Sequence, residues 1–193
     1  FPETKNYVLK ISRKNSLAKA KREVKPLYFR KPFALSKKVK KARLYVSSLG
    51  VFQAYINGKK VGDDFWGTGW TDYNKRVQAN AYDVTEMLSD GGNVVAATLG
   101  DGWYAGMIGL RHRGVYGDVP AIQMRLDVEY VDGMREKIST DASWRWSYGA
   151  IQYSDIYMGE VYDARLEADG WNCVGFDDSK WLSAVSVDGL KAK

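Results

Sequence analysis

Two dipeptides constrain this chain more than any other feature. Asn57-Gly58 separates "VFQAYI" from "KKVG", and Asp132-Gly133 separates "AIQMRLDVEYV" from "MREKIST". Both central residues of a type I′ turn need positive φ, which Asn-Gly meets at low cost, so such a dipeptide between strand-like runs marks an antiparallel hairpin. The flanks agree: Phe52, Ala54 and Ile56 share one face of 51–56, and Ile122, Met124, Leu126, Val128 and Tyr130 share one face of 121–130. Residues 27–35 and 42–50 also read as strands, the first as an edge because Pro32 interrupts it. Residues 75–84 form another. A short helical turn over 85–92 comes next, capped by Asp83 or Thr85 and ended by Gly91 and Gly92, before the buried strand "NVVAATLG". Strands spaced by about 10 residues with almost no helix predict an all-β fold, an antiparallel β-sandwich or jelly roll. The 7 Trp, 13 Tyr and 19 Gly against 4 Pro suit that architecture.

The stretch "LGDGWYAGMIG" (99–109) contains G-x-G-x-x-A, with Asp118 where a ribose-binding acid would stand. A dinucleotide site needs a long helix starting in the glycine turn, and Gly106, Gly109 and Gly114 break the chain where that helix would run. The loop therefore has another use. Its Trp103 and Tyr104, and Trp66, Trp70 and Tyr73 in "FWGTGWTDYN" with Asp72 and Asn74, supply aromatic faces beside carboxylate and amide groups. That pairing suits a sugar ring, whose C–H face stacks on an aromatic plane while its hydroxyls hydrogen-bond. The competing expectation is that these rings plug the ends of the sandwich. Asp155, Glu160 and Asp163 in "SDIYMGEVYDARLE" are expected to bond within a tight surface loop, with Arg165 as partner.

Charge is uneven. Residues 1–43 hold 15 Lys or Arg against Glu3 and Glu23, a net +13, so with +6 overall the remainder carries −7. The basic excess reads as a solvated linker (1–26) and the outer face of an early strand; the alternative is a basic arm that binds nucleic acid or an acidic partner. With Cys173 and His112 each alone of its kind, neither a disulfide nor a Cys/His metal site can form within the chain. No run of 18 apolar residues predicts a membrane span.

The blocks "ARLYVSSLGVFQAYINGKKVGDD", "GWTDYNKRVQANAYDVTEML", "LGDGWYAG", "YGDVPAIQMRL" and "YSDIYMGEVYDARLEADGW", in this order, resemble the N-terminal β-sandwich module of bacterial α-L-rhamnosidases, glycoside hydrolase family 78. The resemblance covers about 27–185, with 186–193 as an exit linker. It implies a galactose-binding-like jelly roll without catalytic residues of its own, because the family's acid and base lie in a helical barrel. It also implies a rhamnose-containing glycan and the remaining domains of the same enzyme as partners, with no nucleic acid or membrane. Contact with those domains leaves a surface through which the isolated module could pair as a homodimer. The carbohydrate candidates are Asp72, Asn74, Asp101, Trp103, Tyr104 and Glu160. No cofactor is required; related lectin-like modules hold calcium, for which Asp72, Asp101 and Asp118 are the candidates, with Pro120 nearby. Met158 departs from the polar residue expected in "YMGE". A periplasmic or extracellular location is implied, with the cytoplasm as the alternative.

Overall fold

A computed structural model describes residues 8–9, 25–109 and 112–187. The expected basic arm thus lies outside the described residues except for 8–9 and 25–26, and so do Leu110, Arg111 and most of the exit linker. The strands are β1 (Val8–Leu9), β2 (Leu27–Leu35), β3 (Val39–Leu49), β4 (Val51–Ile56), β5 (Lys59–Lys60), β6 (Ala79–Asp83), β7 (Gly91–Gly100), β8 (Ala121–Tyr130), β9 (Arg135–Ser139), β10 (Arg145–Tyr148), β11 (Ile151–Asp155), β12 (Gly159–Tyr162), β13 (Leu182–Ser183) and β14 (Ser186–Val187). One sheet has the order β14-β1-β8-β3-β6, with β9 added to β8; the other runs β13-β10-β2-β7-β4-β5; β11 and β12 form a separate hairpin. All pairings are antiparallel.

The two large sheets pack face to face. Leu44, Val46, Ile122, Met124 and Leu126 from one meet Phe29, Phe52, Ala54, Ile56, Val95, Ala97 and Leu99 from the other, with Trp144 and Trp146 in the same core. Alternation does this: each named set repeats every second residue, so one strand face is apolar while its neighbour points outward. The expected β-sandwich is therefore present. At the first hairpin Asn57 (φ 50°) and Gly58 (φ 82°) both occupy the left-handed region, and Ile56 pairs with Lys59, as a type I′ turn requires.

Several local expectations shift. β2 is an edge only beyond Arg30: Leu27–Arg30 lie between β7 and β10, whereas the Pro32 half pairs with β7 alone. Strand structure in 75–84 is confined to Ala79–Asp83. The helical turn shrinks to a single 3-10 turn, Thr85–Met87, where the Asp83 carboxylate accepts from the Thr85 N–H and hydroxyl. Gly91 and Gly92 open β7 instead of closing that turn. Val8–Leu9 and Ser186–Val187, outside the expected module limits, pair with each other, and Leu9 also pairs with Ile122 of β8.

The largest departure concerns Arg30. It stands on the outer face of an early strand, as expected, yet it is only 2% exposed. Residues 171–178 lie over that face. The Arg30 Nε donates to Trp171 O (2.8 Å), Nη2 to Cys173 O (3.0 Å) and Nη1 to Phe176 O (3.4 Å), and Nη1 pairs with the Asp178 carboxylate. The same cover buries Val94 and Ala96 of β7 on the side away from the core, which is why "NVVAAT" is apolar without alternation. Arg30→Met should cost about 3 kcal/mol or more in urea unfolding, because it leaves the carboxylate and three carbonyls without their donor; a change under about 1 kcal/mol would show that the segment docks without it.

Candidate functional site

Three segments meet at one end of the sandwich: the loop between β5 and β6, the loop between β7 and β8, and the β11–β12 hairpin. The second begins with one helical turn, α1 (Gly102–Ala105), which stops at Gly106 and is too short to present a phosphate site. Arg113 binds this loop to the hairpin. Its Nη1 lies 2.6 Å from Asp155 Oδ2 and 3.1 Å from the Tyr153 hydroxyl, and its Nη2 pairs with the Asp101 carboxylate. Asp155, with a fully buried side chain, also accepts from Met107 N (3.0 Å), Tyr157 N (3.0 Å) and Met158 N (3.3 Å). One carboxylate thus fixes both the glycine-rich loop and the hairpin tip.

On this base sits a row of rings. Trp70 and Trp103 stack with centroids 5.1 Å apart and planes at 14°, and Trp103 meets the edge of Tyr157 at 6.0 Å. Trp70 is 49% exposed and Tyr157 is also exposed. Below them, Tyr73 is buried against the edges of Tyr104 (5.4 Å) and Tyr116 (5.1 Å). The plugging role therefore belongs to Tyr73 and its neighbours. Beside the hairpin, a cleft of about 150 Å³ brings Glu160 together with Gln53, Thr98, Ser154, Phe65 and Trp66. Phe65 and Trp66 are strongly exposed there.

The candidate residues divide accordingly. Trp103 is on the aromatic platform, and Glu160 lines the neighbouring cleft. Asp72 and Asn74 remain at the surface of the first loop, where Asp72 Oδ1 accepts from Asn74 N (3.1 Å) and Nδ2 (3.4 Å), and Lys75 Nζ is 3.4 Å from Oδ2. The Asn74 N–H, with Lys75, holds the Asp72 carboxyl below its ordinary range. Two expectations are corrected. Asp101 is buried against Arg113, which it shares with Asp155, and Tyr104 meets Tyr73 edge to face in the underlying cluster, against which Trp103 also packs. Asp72, Asp101 and the exposed Asp118 do not assemble: among the described residues, no three His, Cys, Asp or Glu side chains come close enough to hold a metal ion. The Arg165 expectation holds for Asp163 only (2.7 Å); Asp155 belongs to Arg113. Arg113 and Tyr157 were not legible from sequence, since Arg113 is separated from Asp155 by 42 positions and no local motif joins them.

The Tyr73 hydroxyl is buried without a hydrogen-bond partner among the described residues, and burial pushes its pKa to about 12. Tyr73→Phe should therefore be neutral or stabilising by about 1 kcal/mol at pH 7. A phenol that ionises near 10 when unfolded and near 12 when folded lowers stability as pH rises through that interval. Urea midpoints from pH 9 upward should consequently fall less steeply in the variant; equal slopes would place the titration elsewhere.

Comparison with known proteins agrees with this architecture. The α-L-rhamnosidase N-terminal domain family matches residues 37–193. An α-L-rhamnosidase of Streptomyces avermitilis is 47% identical over 152 residues, which is 79% of this chain and 15% of that protein. Among solved structures, S. avermitilis α-L-rhamnosidase complexed with L-rhamnose superposes with TM-score 0.84 at 44% identity, over 86% of this chain and 16% of that one. The native enzyme of Aspergillus terreus gives 0.87 at 39%, over 94% and 21%. The chain thus spans about a sixth to a fifth of the proteins it matches.

Proposed function

This chain belongs to the α-L-rhamnosidase N-terminal domain family, and from that premise we propose that it is a non-catalytic module that packs on the catalytic part of a longer rhamnosidase and binds the rhamnose-bearing glycan. The observation that carries this reading is the half-exposed Trp70 stacked on the partly buried Trp103. Large aromatic surface left in water is unfavourable to the isolated fold, whereas a flat indole offers a sugar ring a stacking face. The Trp residues divide on this point: Trp144 and Trp146 are buried in the core, Trp103, Trp171 and Trp181 are partly buried, and Trp66 and Trp70 face solvent at the loop end.

Asp72 and Asn74, on the loop that carries Trp70, are the polar groups we assign to sugar hydroxyls. L-Rhamnose is the ligand to try first because the related S. avermitilis enzyme was solved with it. The exposed Phe65, Trp66 and Met158 suit contact with the remaining domains, since burial of each large side chain contributes about 1.5–3 kcal/mol. A location outside the cytoplasm fits a module that meets polymeric glycans.

Isothermal titration of the chain with L-rhamnose, once with calcium and once with chelator, tests this. Binding heat is expected at millimolar sugar, with affinity falling about tenfold or more in Trp103→Ala. Loss of the heat with chelator would add calcium as a ligand. No heat in either buffer would overturn the sugar-binding role and leave docking to the catalytic part as the function.

A further inference from the structure

A second cleft, formed under the segment that Arg30 holds, lies apart from the Trp70–Trp103 platform and the Glu160 cleft. It encloses about 270 Å³ between Tyr28, Tyr148, Tyr162, Trp171 and Trp181, with Glu167, Asp169 and Asn172 also lining it. We propose that this cleft is a separate binding site for one neutral pyranose residue of a glycan, stacked on Trp171 and Trp181 and hydrogen-bonded at Asp169 and Asn172.

The walls are already in place. Trp171 and Trp181 lie nearly parallel (22°) with centroids 6.2 Å apart, and Tyr28 meets Trp171 edge-on at 4.9 Å. The Trp171 carbonyl is fixed by Arg30 Nε at 2.8 Å, and the Tyr28 hydroxyl accepts from Ile151 N at 3.3 Å. Tyr162 is held at its hydroxyl by Glu167. Opposite, the chain passes so close to Tyr28 that a Cβ on Gly149 would stand 2.6 Å from its ring, so only glycine lets the phenol form this wall. A ligand entering here would find its aromatic walls already ordered, which lowers the cost of binding.

Size and charge narrow the ligand. Drug-sized ligands occupy pockets of about 300–1,000 Å³, so a volume just below that range suits a single sugar ring. Glu167 and Asp169 line the cleft, while Lys25 Nζ lies 5.7 Å from the centre of the Tyr148 ring; Glu160 and Glu167 add to the burial that raises the Tyr28 phenol pKa. Two lining carboxylates against this one cation disfavour phosphates, uronic acids and nucleic acid. Among the described residues the Asp169 carboxylate takes no hydrogen bond from protein, so its oxygens are available to hydroxyl donors.

Indole N–H signals report on this directly, because each of the 7 Trp gives its own resonance. Titration of the chain with methyl pyranosides of L-rhamnose, D-galactose and D-glucose should move the Trp171 and Trp181 signals with at least one of them. Asp169→Ala, which leaves the aromatic walls and core intact, should weaken that response about tenfold. Trp103→Ala should leave it unchanged. Trp171 and Trp181 signals that stay still with all three sugars, or that move only with tetramethylammonium, overturn the site. Response at Trp70 and Trp103 is scored separately, so failure of either site is seen without the other.

Discussion

The outer layer of this module depends on one buried guanidinium. Arg30 satisfies three carbonyls and a carboxylate of 171–178, a segment with little regular structure to keep its own backbone groups paired. A buried loop must place its polar groups somewhere, and five N–H donors in a rigid fork answer that requirement where a lysine would not. Its neighbours take their places from it. Trp171 is seated on Tyr28 and Tyr55 (4.9 and 5.5 Å), Phe176 lies 5.3 Å from the guanidinium, and β7 becomes buried on both faces.

Arg113 performs the equivalent task at the loop end with a different balance of partners. Two carboxylates, Asp101 and Asp155, share it, and backbone N–H groups take up the remaining oxygen valences of Asp155. Buried ion pairs add little net stability compared with an apolar replacement, because both charges lose water. Their value here is geometric. A pair that tolerates few alternative arrangements fixes where the glycine-rich loop meets the hairpin, and so fixes the position of Trp103 relative to Tyr157.

Both aromatic regions are thus secondary consequences of polar knots placed on an ordinary apolar sandwich. The core of Leu44, Phe29, Ile122 and their neighbours supplies a rigid base but says nothing of ligand. Rings left wholly or partly accessible near the two arginines carry the functional reading, and that accessibility distinguishes them from Trp144, which the core absorbs.

The sequence by itself determined the fold class, the places of the two hairpins and the inward face of the long strands, because turn residues and the two-residue period are properties of adjacent residues, although at the second hairpin only Gly133, and not Asp132, takes a positive φ. Even there, part of the reason lay elsewhere: the Asn57 side chain also accepts from Val94 N (2.9 Å) and donates to Met87 O (3.0 Å) and Asn93 (2.8 Å), tying the turn to β7. Family resemblance was legible in ordered blocks that contain these local patterns. Only the tertiary structure decided that Arg30 is buried beneath residues more than 140 positions away, that Asp101 is spent on Arg113, and that Trp171 and Trp181 line a cleft. Whether a charge is solvated or paired depends on which distant segment covers it, and no local pattern encodes that neighbour.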